Sequence, residues 1–192
     1  MEVNNNDMIQ INNELRDRAY QCACEHGFHE TEHSDEHWLM LIMTEISEAV
    51  NADRKDRHAL VEEFNRVLKV TDFGFKNTFE RCIKESVEDE LADVVIRCLD
   101  FLGKIGFDLS ETQEILGYSE SDPCPEETCI ITEVMYNITS LLYSSREVGL
   151  RVQDVIIQIF GLSEHIGIDF LWHIEQKMRY NELRPMLNGK KY

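Results

Sequence analysis

The sequence predicts an all-α protein built as a helical bundle, and three observations carry that expectation. Apolar residues recur at steps of three and four along most of the chain, and no strand-length stretch alternates. Only 3 Pro and 9 Gly occur in 192 residues, too few for a many-turned β architecture. Hydrophobic residues make up 43% and charged residues 29%, a globular balance that argues against disorder. At roughly 150 residues per domain, the chain allows one compact domain or two small units sharing a core.

The elements follow in order. Segment 8–25 carries Met8, Ile11, Leu15, Ala19 and Cys22 on one face, and His26-Gly27-Phe28 supplies a stop. The polar stretch 27–35 reads as a connector, and Ser34 or Asp35 caps a second helix over 35–53. Shorter helices are expected over 57–70 and 75–85, with Thr71-Asp72-Phe73-Gly74 between them. Ser86 and three acids open a strong helix over 86–105, and Gly106 closes it. Pro123 and Pro125 mark a break. Helices over 126–146, 148–165 and 168–182 follow, and Arg184-Pro185 ends the last one. Asn188-Gly189-Lys190-Lys191 reads as a turn-rich tail.

An internal echo divides the chain. Residues 91–110 align without gaps to 152–171, with six identities in 20 positions: Asp93/Asp154, Val94/Val155, Ile96/Ile157, Ile105/Ile166, Gly106/Gly167 and Asp108/Asp169. Upstream, 42–50 resembles 130–138 in its Ile, Thr and Glu. The same order in both halves favours two related helical pairs in a pseudo-symmetric bundle, over the chance likeness of amphipathic helices.

Charge narrows the function classes. With 37 Asp+Glu against 19 Lys+Arg, the net charge is −18. Such a surface repels nucleic acids and anionic membranes, and no long basic run offsets it. No apolar run approaches the roughly 20 residues of a membrane span, and the first residues lack a signal peptide's basic and apolar regions. A cytoplasmic protein without nucleic acid or membrane partners is expected. Cysteines 22, 24, 82, 98, 124 and 129 form no CxxC pair and read as reduced thiols.

Within this acidic excess, two pairs stand out. Glu45 and Glu48 lie at i and i+3, and so do Glu90 and Asp93, so each pair shares a helical face. Leu41, Ile42, Ile46, Ala49 and Val50 flank the first pair; Leu91, Val94, Val95 and Leu99 flank the second. Carboxylates bordering buried faces need a positive partner, because uncompensated buried charge is very costly. Mg²⁺ favours carboxylate oxygens and water and meets that need, whereas solvated ExxE and ExxD faces are the plainer reading of either pair alone. A di-iron bundle would require ExxH on two helices, and Glu30–His33 in the connector is the lone match.

The stretch TEISEAVNADRK (44–55), followed by EDELADVVIRCLDF (88–101), resembles the ExxE–spacer–ExxD pattern of the MazG-like all-α nucleoside triphosphate pyrophosphohydrolases. The ending KMRYNELRPMLNGKKY (177–192) is similar to that family's K-x-x-Y-N-x-x-R-P and Gly-Lys tail. The likeness spans about Trp38 to Lys190. The spacer from Glu48 to Glu90 is long for the family, so 57–85 reads as an inserted helical hairpin. Thr44 stands where an acid often precedes the first motif.

The resemblance implies a MazG-like bundle with its metal-binding acids in a unit over 36–109. A second unit over 126–192 is degenerate: Glu45 and Asp93 correspond to Glu133 and Asp154, but Glu48 and Glu90 correspond to Tyr136 and Arg151. It further implies Mg²⁺, with Mn²⁺ as substitute, held by Glu45, Glu48, Glu90 and Asp93. Glu48, or else Glu45, orients or deprotonates the attacking water. Lys177, Tyr180, Asn181, Arg184 and Lys190 are implied as substrate contacts, against the plain alternative of a solvated helix end. Trp38 either stacks on a base or packs in the core, and the two readings stand level. Arg97 reads as a partner of Asp93 ahead of a phosphate contact, and Tyr136 most simply as core. The implied reaction cleaves a nucleotide between the α and β phosphates, and apolar faces leave room for a homodimer. The competing class is a non-catalytic acidic helical protein with an interaction or regulatory role.

Overall fold

Capping chemistry sets the helix boundaries in the computed structural model, which describes residues 11–70, 73–110 and 131–189. Among these residues the structure is all helical, with eight α-helices and no strand. Helix α1 spans Asn13–Glu25. It starts later than residue 8 because Asn12 is extended and its side chain accepts the Leu15 N–H at 2.9 Å, which fixes the first turn there. Residues 8–10 lie outside the described residues. Helix α2 spans Asp35–Asp53, as expected, with Ser34 at its N-cap.

Helices α3 (Val61–Val70) and α4 (Phe75–Cys82) are shorter than the sequence suggested. The backbone ahead of α3 has other partners. Ala59 donates its N–H to Glu88 Oε2 at 2.9 Å, and the Arg57 carbonyl accepts the Val87 N–H at 2.9 Å. Helix α4 stops short of Glu85, which sits at φ 62°, a left-handed conformation that no L-residue helix continues through. Helix α5 spans Val87–Lys104, capped by Ser86, whose hydroxyl accepts the Asp89 N–H. Helices α6 (Ile131–Leu141), α7 (Val148–His165) and α8 (Phe170–Asn181) follow, then a 3₁₀ turn over Met186–Gly189. Residues 126–130, with Pro123 and Pro125, lie outside the described residues. Helix α6 ends before 146 because the N–H groups of Leu142, Tyr143 and Ser144 tighten onto carbonyls three residues back.

Helix α5 is the axis, packed against α1, α2, α7 and α8. Its Leu91, Ala92, Val94, Val95, Cys98 and Leu99 have no exposed surface. Each large apolar side chain buried this way contributes about 1.5–3 kcal/mol relative to exposure. The α3–α4 hairpin makes a smaller cluster of its own, Phe64, Phe79, Cys82 and Ile83, closed by Tyr180 with Trp172 alongside, both from α8. Among the described residues no single helix is long and apolar enough to cross a membrane. Cys22, Cys24, Cys82 and Cys98 are free thiols.

The internal echo has a structural counterpart. Helix α2 packs on α5, and α6 packs on α7. Helices α5 and α7 end in matching caps. Gly106 (φ 67°) and Gly167 (φ 74°) take left-handed backbone. Phe107 N–H reaches the Leu102 carbonyl and Ile168 N–H reaches the Ser163 carbonyl, both at 2.9 Å. Tyr136, expected in the core, is instead 76% exposed: the α6 face that meets α7 carries Val134, Met135 and Ile138, and Tyr136 points elsewhere.

Candidate metal centre

Spacing on α5 generates the site. Asp89, Asp93, Arg97 and Asp100 follow one another at steps of four, four and three, and Glu90 sits three before Asp93, so all five share one side of the helix. Helix α2 brings Glu45 and Glu48 against that side, and α8 brings Lys177 and Asn181. A cavity of about 240 Å³ lies between them. Glu45, Glu48, Glu90 and Asp93 all line it, so the two acidic motifs do converge.

Three of the four are in close register. Glu45, Glu90 and Asp93 each offer a carboxylate oxygen, and these atoms lie within 4.8 Å of one another. Magnesium takes oxygens at about 2 Å, which puts ligand atoms roughly 3–4 Å apart, a separation that small carboxylate rotations reach from here. An all-carboxylate donor set suits a hard cation and not a soft one. Glu48 lines the same cavity but is exposed and lies outside this close triad.

The cavity holds its charge under tension. Seven carboxylates and four Lys or Arg side chains line it, an excess of three negative charges when all are ionised. Burial and the neighbouring Asp93 push the Glu90 carboxyl up to about 8, against the pull of Lys177. Burial likewise raises Asp89, opposed by Lys177 and reinforced by Asp93. Lys177 is only 3% exposed, and its Nζ sits 2.8 Å from Asp89 Oδ2 and 2.7 Å from Asp93 Oδ2. Burial alone would strip its proton, but Asp89, Asp93 and Glu90 outweigh this and hold it charged. Arg97 does not pair with Asp93 as expected. Its Nε lies 3.1 Å from Glu45 Oε1 across the α2–α5 interface, because α2 presents a carboxylate closer than the neighbour one turn back.

The tail residues divide. Lys177, Asn181 and Arg184 line the cavity. Lys177 meets carboxylates there rather than an open phosphate site. Asn181 Oδ1 is buried without a hydrogen-bond partner. Tyr180 does not reach the cavity: it stacks on Phe79 with ring centroids 4.5 Å apart and donates its hydroxyl to Glu80 at 2.9 Å, so the inserted hairpin claims it. Lys190 lies outside the described residues. Trp38 is 2% exposed, stacks on His29 at 4.5 Å and is absent from the cavity lining, so its place is core packing.

Three lining acids escaped the sequence reading: Glu85, and two more from the α5 stripe. Asp89 and Asp100 both face the cavity, 1% and 2% exposed. Asp100 Oδ1 lies 2.7 Å from His29 Nε2, while Oδ2 is buried without a partner. The signal was present: both residues continue the stripe through Asp93. The ExxD motif drew attention to two of its members only.

The chain was compared with protein-family models, curated proteins and solved structures, and nothing matches in any of the three. The likeness to the MazG-like pattern rests on the motifs themselves.

Proposed function

We propose that the protein is a Mg²⁺-dependent nucleotide pyrophosphohydrolase that cleaves a nucleoside triphosphate between the α and β phosphates. The observation that carries this reading is the meeting of Glu45, Glu90 and Asp93, from two helices, within 4.8 Å in a cavity that Glu48 also lines. Glu45, Glu90 and Asp93 would hold the metal. A bound divalent ion supplies charge neutralisation of the phosphates and a lowered pKa for water.

The chain's own residues account for the rest. Glu48, exposed, lining the cavity and outside the tight triad, accepts the proton of the attacking water. The water oxygen bonds to the α-phosphorus, the bond from that phosphorus to the bridging oxygen breaks, and pyrophosphate leaves with a nucleoside monophosphate behind. Arg184, Asn181 and Lys84 line the same cavity, and their N–H donors would meet phosphate oxygens. Lys177 acts as a positioning residue that holds Asp93 in place through its second bond to Asp89.

The rival reading is a closed structural ion-pair cluster without catalysis. Lys177 between two aspartates and Arg97 on Glu45 are the observations in its favour. A panel of nucleoside triphosphates assayed for pyrophosphate release with and without Mg²⁺ separates the two. Metal-dependent release that Glu48→Gln lowers by about 10²–10⁴-fold is the expected result. A silent panel, together with no Mg²⁺ binding by calorimetry, would establish the structural cluster.

A further inference from the structure

Part of the cavity wall lies outside the acid cluster, where two distant segments meet. Helix α1 is capped at its C-terminus by His26, and the chain beyond α8 returns to that cap. His26 and Arg184, one from each segment, both line the cavity.

The ring and the backbone of His26 both take part. Nδ1 lies 2.7 Å from the Cys22 carbonyl oxygen, one turn back, and Nε2 lies 3.0 Å from the Arg184 carbonyl oxygen. A carbonyl oxygen only accepts, so the Nε2 that meets Arg184 carries a proton and donates. The His26 carbonyl in turn accepts the Leu187 N–H at 2.8 Å. Residues 184–187 are thereby strapped to the end of α1 at two points. Leu187 sits at φ 50°, a left-handed backbone that leucine rarely adopts, so the strap is held against its own local preference.

Arg184 is the residue that this arrangement fixes. Its N–H donates to the Asn181 carbonyl at 3.0 Å, and its carbonyl accepts from His26. Pro185 follows and biases Arg184 away from helical backbone. With both of its peptide groups tied, Arg184 keeps only its side-chain torsions.

We infer that His26 is a positioning residue: by holding the Arg184 carbonyl, it keeps the Arg184 guanidinium at the cavity for the phosphate oxygens of the substrate. The inference rests on the pyrophosphohydrolase reading above. A guanidinium meets phosphate oxygens as a planar fork, so its fit depends on where its backbone is anchored. In this role His26 touches neither phosphate nor metal and acts only through Arg184.

A double-mutant cycle tests this, because a residue that acts only through another has nothing further to lose once that other is gone. The readout is calorimetric binding of inorganic triphosphate with Mg²⁺ to the full chain. In His26→Asn the amide nitrogen falls near the place of Nδ1, and the Nε2 donor is lost. This variant is expected to weaken triphosphate binding about tenfold and to leave binding of Mg²⁺ alone within about twofold. Amide exchange at Leu187 should quicken about tenfold. In His26→Gln the amide nitrogen falls near the place of Nε2, and triphosphate binding should return to within about threefold of native. Arg184→Met should lose at least as much as His26→Asn, and combining the two should add no further loss. If His26→Asn does not fold, Leu187→Ala takes its place in the cycle. Leu187 packs against the core, so its truncation loosens the strap from the tail side, with the same lack of additivity expected. Additive losses, unchanged triphosphate binding in His26→Asn, or no recovery in His26→Gln would overturn the positioning role and leave the metal chemistry standing. A native protein that binds neither Mg²⁺ nor triphosphate with Mg²⁺ would instead overturn the pyrophosphohydrolase reading, and the role of His26 with it.

Discussion

The α2–α5 pair and the α6–α7 pair each pack together and end in the same helix cap, but they do not share a charge pattern. In the first pair, Glu45, Glu90 and Asp93 meet at one cavity. In the second, the corresponding Glu133 is exposed, Tyr136 points to solvent, and Arg151 turns its guanidinium to the Leu142 carbonyl at the end of α6. Asp154, the counterpart of Asp93, is paired with Arg146. The lesson is that the helical frame tolerates either content. Hydrophobic packing and glycine caps build the pair, and a few substitutions decide whether it gathers carboxylates or disperses them.

The sharpest way to break the comparison is to remove matching acids. Asp93→Asn should lower Mg²⁺-dependent pyrophosphate release by about 10²–10⁴-fold, whereas Asp154→Asn should leave it within about twofold. Equal losses would show that the second pair also contributes to the chemistry.

Matching cations come next. Lys177→Met leaves Asp89 buried without its ion pair and should cost about 3–5 kcal/mol in chemical denaturation. Arg151→Met forfeits a bond to one backbone carbonyl and should cost about 1 kcal/mol. A Lys177→Met loss no larger than the Arg151→Met loss would mean that the first pair is not under charge tension.

The pH dependence should differ in the same direction. Glu90 is raised from its ordinary 4.5 to about 8, chiefly by burial and then by Asp93. The folded, metal-free protein therefore holds a proton there that the unfolded chain releases. Its contribution to stability is fully present below about pH 4.5 and is lost as pH rises through about 8. A metal must displace the same proton, so Mg²⁺ affinity by calorimetry should fall up to about tenfold per unit below pH 8 and level off above it. Glu90→Gln should flatten that profile as well as weaken binding.

The smallest effect tests what the pairs share. Gly106 and Gly167 both sit at positive φ with open space around them. Alanine at either should cost about 1 kcal/mol by thermal melting, for conformational reasons alone and to the same extent. Unequal costs would deny the equivalence of the two caps.

Much of this was legible in the sequence, for physical reasons. Glu45, Glu90 and Asp93 were readable because period-three acids inside apolar stretches force carboxylates to the edge of a core. The caps at Ser86 and Gly106 act locally, so the residue types that perform them show in the sequence, whereas the Asn12 cap was passed over for an apolar period that runs back to Met8. Trp38, Tyr180 and Lys177 were not readable in the same way. Their surroundings come from distant segments: His29 for Trp38, Phe79 of the hairpin for Tyr180, and Asp89 for Lys177. Arg97 was assigned to its neighbour on the same helix, and tertiary packing supplied Glu45 instead. Asp100 went unremarked because it falls outside the ExxD spacing, although its place on the Asp93 stripe could have been counted.

The central claim is that Glu45, Glu90 and Asp93 share one divalent cation. Anomalous diffraction from crystals soaked in Mn²⁺ tests it directly. The account predicts a peak bounded by those three carboxylates, lost in Asp93→Asn. A Mn²⁺-soaked crystal with no peak among them, the three side chains held instead by Lys177 and Arg97, would contradict it.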